Sequence, residues 1–255
     1  MPVVAALLAL PCIALAQHDT VSSKGLSLAT AEQFAPYAYQ NDVGVWTGID
    51  IDILTAVFKQ AGIEFVVAGF PRSRITLMLE KDMLDGLVST ASYNENDQLE
   101  MLWQSDRLYY SEISAFSLNV FPSAKATEKG FLMNTHYRLG VLNEFSYLVE
   151  GTELAERDNL IKVHRDQQLV DLLSIGRVDL IISEDISFIY TARRSGKFAS
   201  IKPLLEITSR PVSIALSRKV IEAHPDFADR INKSIIQLRK SGFIDAVIVK
   251  YLTLN

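Results

Sequence analysis

Two rhythms of apolar residues alternate along this chain. Ile53, Leu54, Val57, Phe58 and Ala61 fall three and four apart, which makes one apolar face of a helix. Thr47-Gly48-Ile49-Asp50 opens that helix, with Thr47 and Asp50 as a capping-box-like pair. Gly62 closes it, because glycine tolerates the left-handed cap. The runs 26–31 and 63–70 on either side have no helical period and read as strands. Between them, Phe34-Ala35-Pro36-Tyr37 is an aromatic loop, since the residue before proline avoids helical geometry. A second helix over 72–81 and a third strand over 85–91 complete a β-α-β-α-β order. That order predicts a parallel sheet with helices over its faces.

The same order returns later. Strands are predicted over 138–142, 160–164 and 178–183, with helices over 146–156, 166–175 and 185–195. The run 113–120 is an extended crossover between the halves. Residues 201–207 are extended, 211–218 form a last internal strand, and helices over 227–241 and 243–252 are split by Gly242. One short segment marks the duplication. Leu84-Asp85-Gly86-Leu87-Val88-Ser89 and Val178-Asp179-Leu180-Ile181-Ile182-Ser183 each follow an amphipathic stretch and run into a buried strand that stops at a serine. Two similar α/β units imply two lobes that face each other. Ligands of open α/β sheets sit beyond the carboxyl ends of the strands. Ser89 and Ser183 are therefore expected on opposite walls of one cleft.

Composition narrows the function. Apolar residues make up 49% of the 255, enough for a proper core. The formal net charge of −5, with basic residues scattered singly or in pairs, argues against a nucleic-acid partner. The four histidines, His18, His136, His164 and His224, are far apart and unaccompanied by cysteine, so no metal or other cofactor is expected. Residues 3–16 carry no charge, and Ala14-Leu15-Ala16 is a small-x-small cleavage site, although no Lys or Arg precedes the apolar run. Residues 1–16 thus read as a signal peptide cleaved after Ala16. Cys12, the sole cysteine, lies inside it. A mature chain without cysteine fits the bacterial periplasm, where a large enough core makes disulfides unnecessary.

Gly48-Ile49-Asp50-Ile51-Asp52-Ile53, continued to Ala61, resembles the signature of the family 3 bacterial extracellular solute-binding proteins, the periplasmic receptors for polar amino acids in ABC import; Phe58 departs from it. Further features follow in the family's order. They are the aromatic loop at Phe34–Tyr37, Ser105-Asp106-Arg107-Leu108-Tyr109-Tyr110, Gly140-Val141-Leu142, Gly176-Arg177-Val178-Asp179 and a C-terminal helix ending in Lys250-Tyr251. The resemblance implies a two-lobed, type II periplasmic-binding-protein-like α/β fold. Residues 24–113 plus 209–255 would form lobe 1 and residues 114–208 lobe 2, joined by two crossing strands. It implies a monomer that closes on a small polar solute and delivers it to an ABC transporter permease in the inner membrane.

The resemblance also assigns candidates for binding. Phe34 matches the aromatic that covers the ligand, whereas Tyr37 reads as core. Thr90 and Ser92 fall where relatives offer hydroxyls and backbone N–H groups to a carboxylate, and Ser92 to Glu95 doubles as a capping box. Asp97 stands where relatives that bind α-amino acids place an arginine. Either the ligand is not an ordinary amino acid, or another cation substitutes, with Arg72 and Arg74 as the candidates. Ser146 matches a Ser or Thr at a helix start. Glu184 matches the carboxylate that takes the ligand's amino group, or else caps the helix after it. Two other functions use the same frame. One is a periplasmic cyclohexadienyl-dehydratase-like enzyme with Glu184 as its acid. The other is a ligand-sensing module that serves a membrane receptor.

Overall fold

The computed structural model describes residues 25–91, 101–118, 136–148, 158–198 and 201–253, without the side chains of Glu144 and Tyr147. The proposed leader with Cys12 lies outside the described residues, as do Ser92, Asp97 and most of the helix expected over 146–156.

Helix α1 (Ile49–Ala61) buries Ile49, Ile53, Leu54, Val57, Phe58 and Ala61, the stripe that the spacing predicted plus its first residue. Full burial of each large member is worth about 1.5–3 kcal/mol. Gly62 ends it in the left-handed region at φ 65°. The start differs from expectation. Gly48 occupies the cap position and no side chain caps the helix. Thr47 instead bonds the Tyr251 hydroxyl at 2.9 Å, and Asp50 is buried in the lobe.

Strands β1 (Leu26–Ala31), β4 (Phe65–Phe70) and β5 (Gly86–Leu87) run parallel in the order β4-β1-β5. Two-residue strands β2 (Tyr39–Gln40) and β3 (Trp46–Thr47) form a separate hairpin. Helix α2 (Arg72–Glu80) links β4 to β5. The first sheet continues with β12 (Ala215–Ser217), antiparallel to β5, and then β6 (Leu102–Gln104).

The second sheet repeats this plan. Strands β8 (Leu139–Leu142), β9 (Leu160–Val163) and β10 (Leu180–Glu184) are parallel in the order β9-β8-β10. Strand β7 (Tyr109–Phe116) then lies antiparallel to β10, and β11 (Pro203–Val212) antiparallel to β7. Each sheet therefore places its second strand outermost, then its first, its third and a reversed strand. β7 and β11 carry the chain between the lobes, and each runs past the boundaries expected at 113/114 and 208/209. Helices α3 (Asp166–Ser174) and α4 (Asp185–Arg194) pack on the second sheet. Helices α5 (Arg218–Ala223), α6 (Phe227–Lys240) and α7 (Phe243–Thr253) return to the first lobe. Residues 143–148 form a 3-10 helix.

The duplicated segment has a structural cause. Asp85 accepts the Ser27 N–H at 2.7 Å, just inside β1. Asp179 accepts the Arg138 N–H at 2.9 Å, just before β8. Each aspartate thus pins the start of its lobe's first strand to the start of the third. The expected placement of the two serines needs correction. Ser89 Oγ donates to Asp50 at 2.5 Å, and Ser183 Oγ donates to Asp166 at 2.6 Å. Both serines are buried and each serves a carboxylate in the first turn of a helix of its own lobe. Neither lines a cleft, because a buried hydroxyl must find a partner and the helix aspartates supply one.

Candidate functional site

The candidate residues gather at the carboxyl ends of the parallel strands. In the first lobe these ends lead to Phe34 after β1, Arg72 after β4 and Thr90 after β5. In the second they lead to Ser146 after β8 and Glu184 at the end of β10.

Phe34 is half-buried, and its N–H donates to the Ala38 carbonyl at 2.9 Å, which folds the aromatic loop back on itself. Its ring stacks on Tyr37 at 4.8 Å, and Tyr37 stacks on Tyr109 at 6.4 Å. Tyr37 is buried as expected of a core residue, yet its hydroxyl lies against Glu184 of the other lobe, without a hydrogen bond of regular geometry. Burial raises the Tyr37 hydroxyl well above the usual phenol range, and the Glu184 charge pushes it further. Tyr109 Oη donates to Asp50 Oδ1 at 2.6 Å. Asp50, satisfied by Ser89 and Tyr109, has its pKa lifted to about 6 by burial. The lobe contact at Tyr37 is widened by Ile186, which packs into the core of the first lobe, and by α4 against α7.

Glu184 is itself buried. Its Oε2 accepts the Ser187 N–H at 2.8 Å, so it caps α4, the alternative role read from the sequence. Its Oε1 lies 3.4 Å from the Ser111 hydroxyl. Desolvation lifts its pKa to about 7, only partly offset by Tyr37 and the Ser187 N–H. Asp185 beside it is also raised to about 7 by burial, with Glu112 and Glu206 adding repulsion. Near neutral pH this end of the hinge therefore holds carboxyl groups poised between acid and carboxylate.

Thr90 is buried rather than free for a ligand. Its Oγ1 accepts the Ser213 N–H at 3.0 Å and its own N–H donates to the Ser213 carbonyl at 2.8 Å. Ser146 is buried at the 3-10 helix. Arg72 and Arg74 are exposed, and Arg74 lies over the Phe70 ring at 5.1 Å. Both follow β4, the outermost strand of its sheet. β4 stands two strand spacings from β5, about 10 Å, whereas Glu184 ends β10, the counterpart of β5. Thus Phe34, Tyr37 and Glu184 come together, and Arg72 and Arg74 stand at the jaw tip.

Three residues of this site were not singled out by sequence: Asp50 as a buried carboxylate, Tyr109 as its partner, and Arg210. The guanidinium of Arg210 donates to the carbonyls of Thr90 at 3.4 Å and Ala91 at 2.6 Å. A charged residue in the otherwise mostly apolar crossing strand was its only signal. Among the described residues no cluster of His, Cys, Asp and Glu could hold a metal ion, and no helix is long and apolar enough to cross a membrane.

Residues 26–117 match the sequence model of the bacterial extracellular solute-binding proteins, family 3. Over this segment the chain is similar to family 3 solute-binding proteins. Solved structures extend the likeness of fold to both lobes. An ancestral cationic amino acid solute-binding protein aligns at a TM-score of 0.68 and 15% identity, covering 89% of this chain and 95% of its own. A second structure of that ancestor, described as a precursor of cyclohexadienyl dehydratase, aligns at 0.60 and 16% identity, covering 89% and 95%. The second substrate-binding domain of GlnP from Lactococcus lactis, in its open conformation, aligns at 0.67 and 19% identity, covering 92% and 98%. The second substrate-binding domain of a putative amino acid ABC transporter from Streptococcus pneumoniae aligns at 0.67 and 18% identity, covering 89% and 100%. A search of curated protein sequences gave no significant match. The expected two-lobed, periplasmic-binding-protein-like α/β fold therefore holds, with β7 and β11 crossing between the lobes.

Proposed function

We propose that this protein is a family 3 solute-binding protein and the periplasmic receptor of an ABC importer. It captures a small polar solute, an amino acid or a relative of one, by closing its lobes and hands it to a membrane permease. The observation that carries this reading is the meeting of the lobes at Tyr37 and Glu184, below the half-buried Phe34 ring. An aromatic face and a carboxyl group from opposite lobes suit a ligand with an apolar stem and an amino group. A ligand that touches both lobes binds the closed form better than the open one and so shifts the population. Export with cleavage after Ala16, and action as a monomer, complete the reading. A thermal-shift screen of residues 17–255 against amino acids, polyamines and small acids tests it. At 100 times its dissociation constant a ligand stabilises by about 2.7 kcal/mol. A melting point that no compound moves removes these solute classes from the proposal.

The poised Glu184 favours one second reading, a dehydratase of the cyclohexadienyl type. A carboxyl group that keeps its proton near neutral pH can serve as a general acid. Conversion of prephenate or arogenate to the aromatic product, with a rate that falls as pH rises above about 7, supports that reading and displaces the first.

A further inference from the structure

We propose that Arg210 is the cation that holds a carboxylate of the ligand, in place of the arginine that this chain replaces with Asp97. The inference rests on the receptor reading and names its solute class: a molecule with a carboxylate on Arg210 and an amino group on Glu184. Three observations carry it. First, Arg210 on β11 is the direct cross-strand partner of Ser111 on β7. Directly paired residues project from the same face of a sheet, with Cβ atoms about 5 Å apart. The Ser111 hydroxyl lies 3.4 Å from Glu184, so Arg210 and Glu184 project from one face of the sheet on either side of β7, beside the hinge. Second, the guanidinium is fixed on the Thr90 and Ala91 carbonyls, at the carboxyl end of β5. Third, the charge is set but not spent. A guanidinium has five N–H donors, and two are held by those carbonyls. Among the described residues no carboxylate lies within ion-pair distance of Arg210.

The site so described has a positive and a negative pole on one face, on either side of β7, which is the charge pattern of a zwitterion in reverse. A planar guanidinium already oriented by two backbone carbonyls can still present a fork of donors to a carboxylate, the geometry that makes such pairs strong. Arg210 belongs to a crossing strand and is held to the first lobe by these two carbonyls. Arg72, at the end of the outermost strand, is not needed for this contact.

Calorimetry with matched probes tests the assignment. L-arginine is compared with agmatine, L-lysine with cadaverine, and L-glutamine with glutaminamide; each second compound lacks the carboxylate. The unaltered protein should bind at least one amino acid about thirtyfold or more tighter than its partner, the loss expected when one side of a desolvated charge pair is removed. Arg210→Gln should bring that pair within about threefold, and Arg210→Lys should keep part of the difference. Equal binding of the two members by the unaltered protein overturns the assignment and leaves the receptor reading standing; this arm does not depend on how the variants fold. Discrimination that persists in a folded Arg210→Gln also overturns it. Failure of every probe to bind overturns both this assignment and the amino-acid form of the receptor reading.

Discussion

Replacing Gly48 with alanine should destabilise the protein by about 3–5 kcal/mol, the sum of backbone strain and overpacking. Gly48 sits at φ 129°, where a side chain is strained whatever the space around it. A Cβ there would also lie 2.3 Å from the Tyr37 carbonyl oxygen and 2.9 Å from that of Pro36. Those carbonyls accept the N–H groups of Asp50 and Ile49, both at 2.9 Å. The clash therefore pries the aromatic loop off the start of α1 and disturbs Phe34, Tyr37 and Asp50 together. Against a typical total stability of about 5–15 kcal/mol this is a large loss. A chain of this size loses about 2–4 °C of melting temperature per kcal/mol, so a fall of roughly 10 °C is expected. Gly44→Ala is the control. It has φ 79° but nothing within 4 Å, so it reads strain without the clash. Equal melting points for the two variants would show that the loop is not packed on α1 as described.

Binding of an amine-bearing ligand should strengthen as pH rises from about 5.5 to 7 and then level off. Buried Glu184 holds its proton up to about pH 7, and an ammonium group pairs only with the carboxylate. Below that pH each ligand must expel a proton, which costs one factor of ten in affinity per pH unit. The sign is opposite to that of a general acid, whose activity falls over the same range. Glu184→Gln keeps an oxygen to accept the Ser187 N–H but cannot carry the charge. At pH 8 it should weaken an amine ligand by about thirtyfold or more, and the pH slope should vanish. Titrations across this range, with proton release read from buffers of different ionisation heat, check both. A flat profile for the unaltered protein would contradict the placement of the ligand's amino group on Glu184.

Much of the fold was legible because periodicity and turn chemistry agree. The face of α1, its glycine end and the break at Gly242 were each fixed by local rules. The duplicated segment located the third strand of each lobe. What it could not reveal was the direction of single polar side chains. Ser89 and Ser183 look like cleft residues in the sequence, but each turns inward to a helix aspartate. Asp50 looks like a surface cap and is instead a buried acceptor of two hydroxyls. Such choices are made by tertiary partners distant in the chain, as Tyr109 is from Asp50. The short strands β2, β3 and β6 escaped notice because two or three residues carry no period. Within the candidate site, the resemblance singled out Phe34 and Glu184, which the structure links through Tyr37. Arg210 was not, because a crossing strand gives no local sign of which loop its side chain will reach.

The central claim is that the two lobes act as jaws on one small molecule. In each sheet the outermost strand is the one farthest from β7 and β12, so Ser73 after β4 and Arg165 after β9 mark the jaw tips. The sole cysteine precedes residue 17, so Ser73→Cys and Arg165→Cys can carry two spin labels on residues 17–255 without interference. Pulsed electron resonance then reads their separation with and without a stabilising ligand from the screen. A distribution that shifts to shorter distance on saturation is the expected result. An unchanged distribution at full occupancy would contradict closure of the lobes on the ligand.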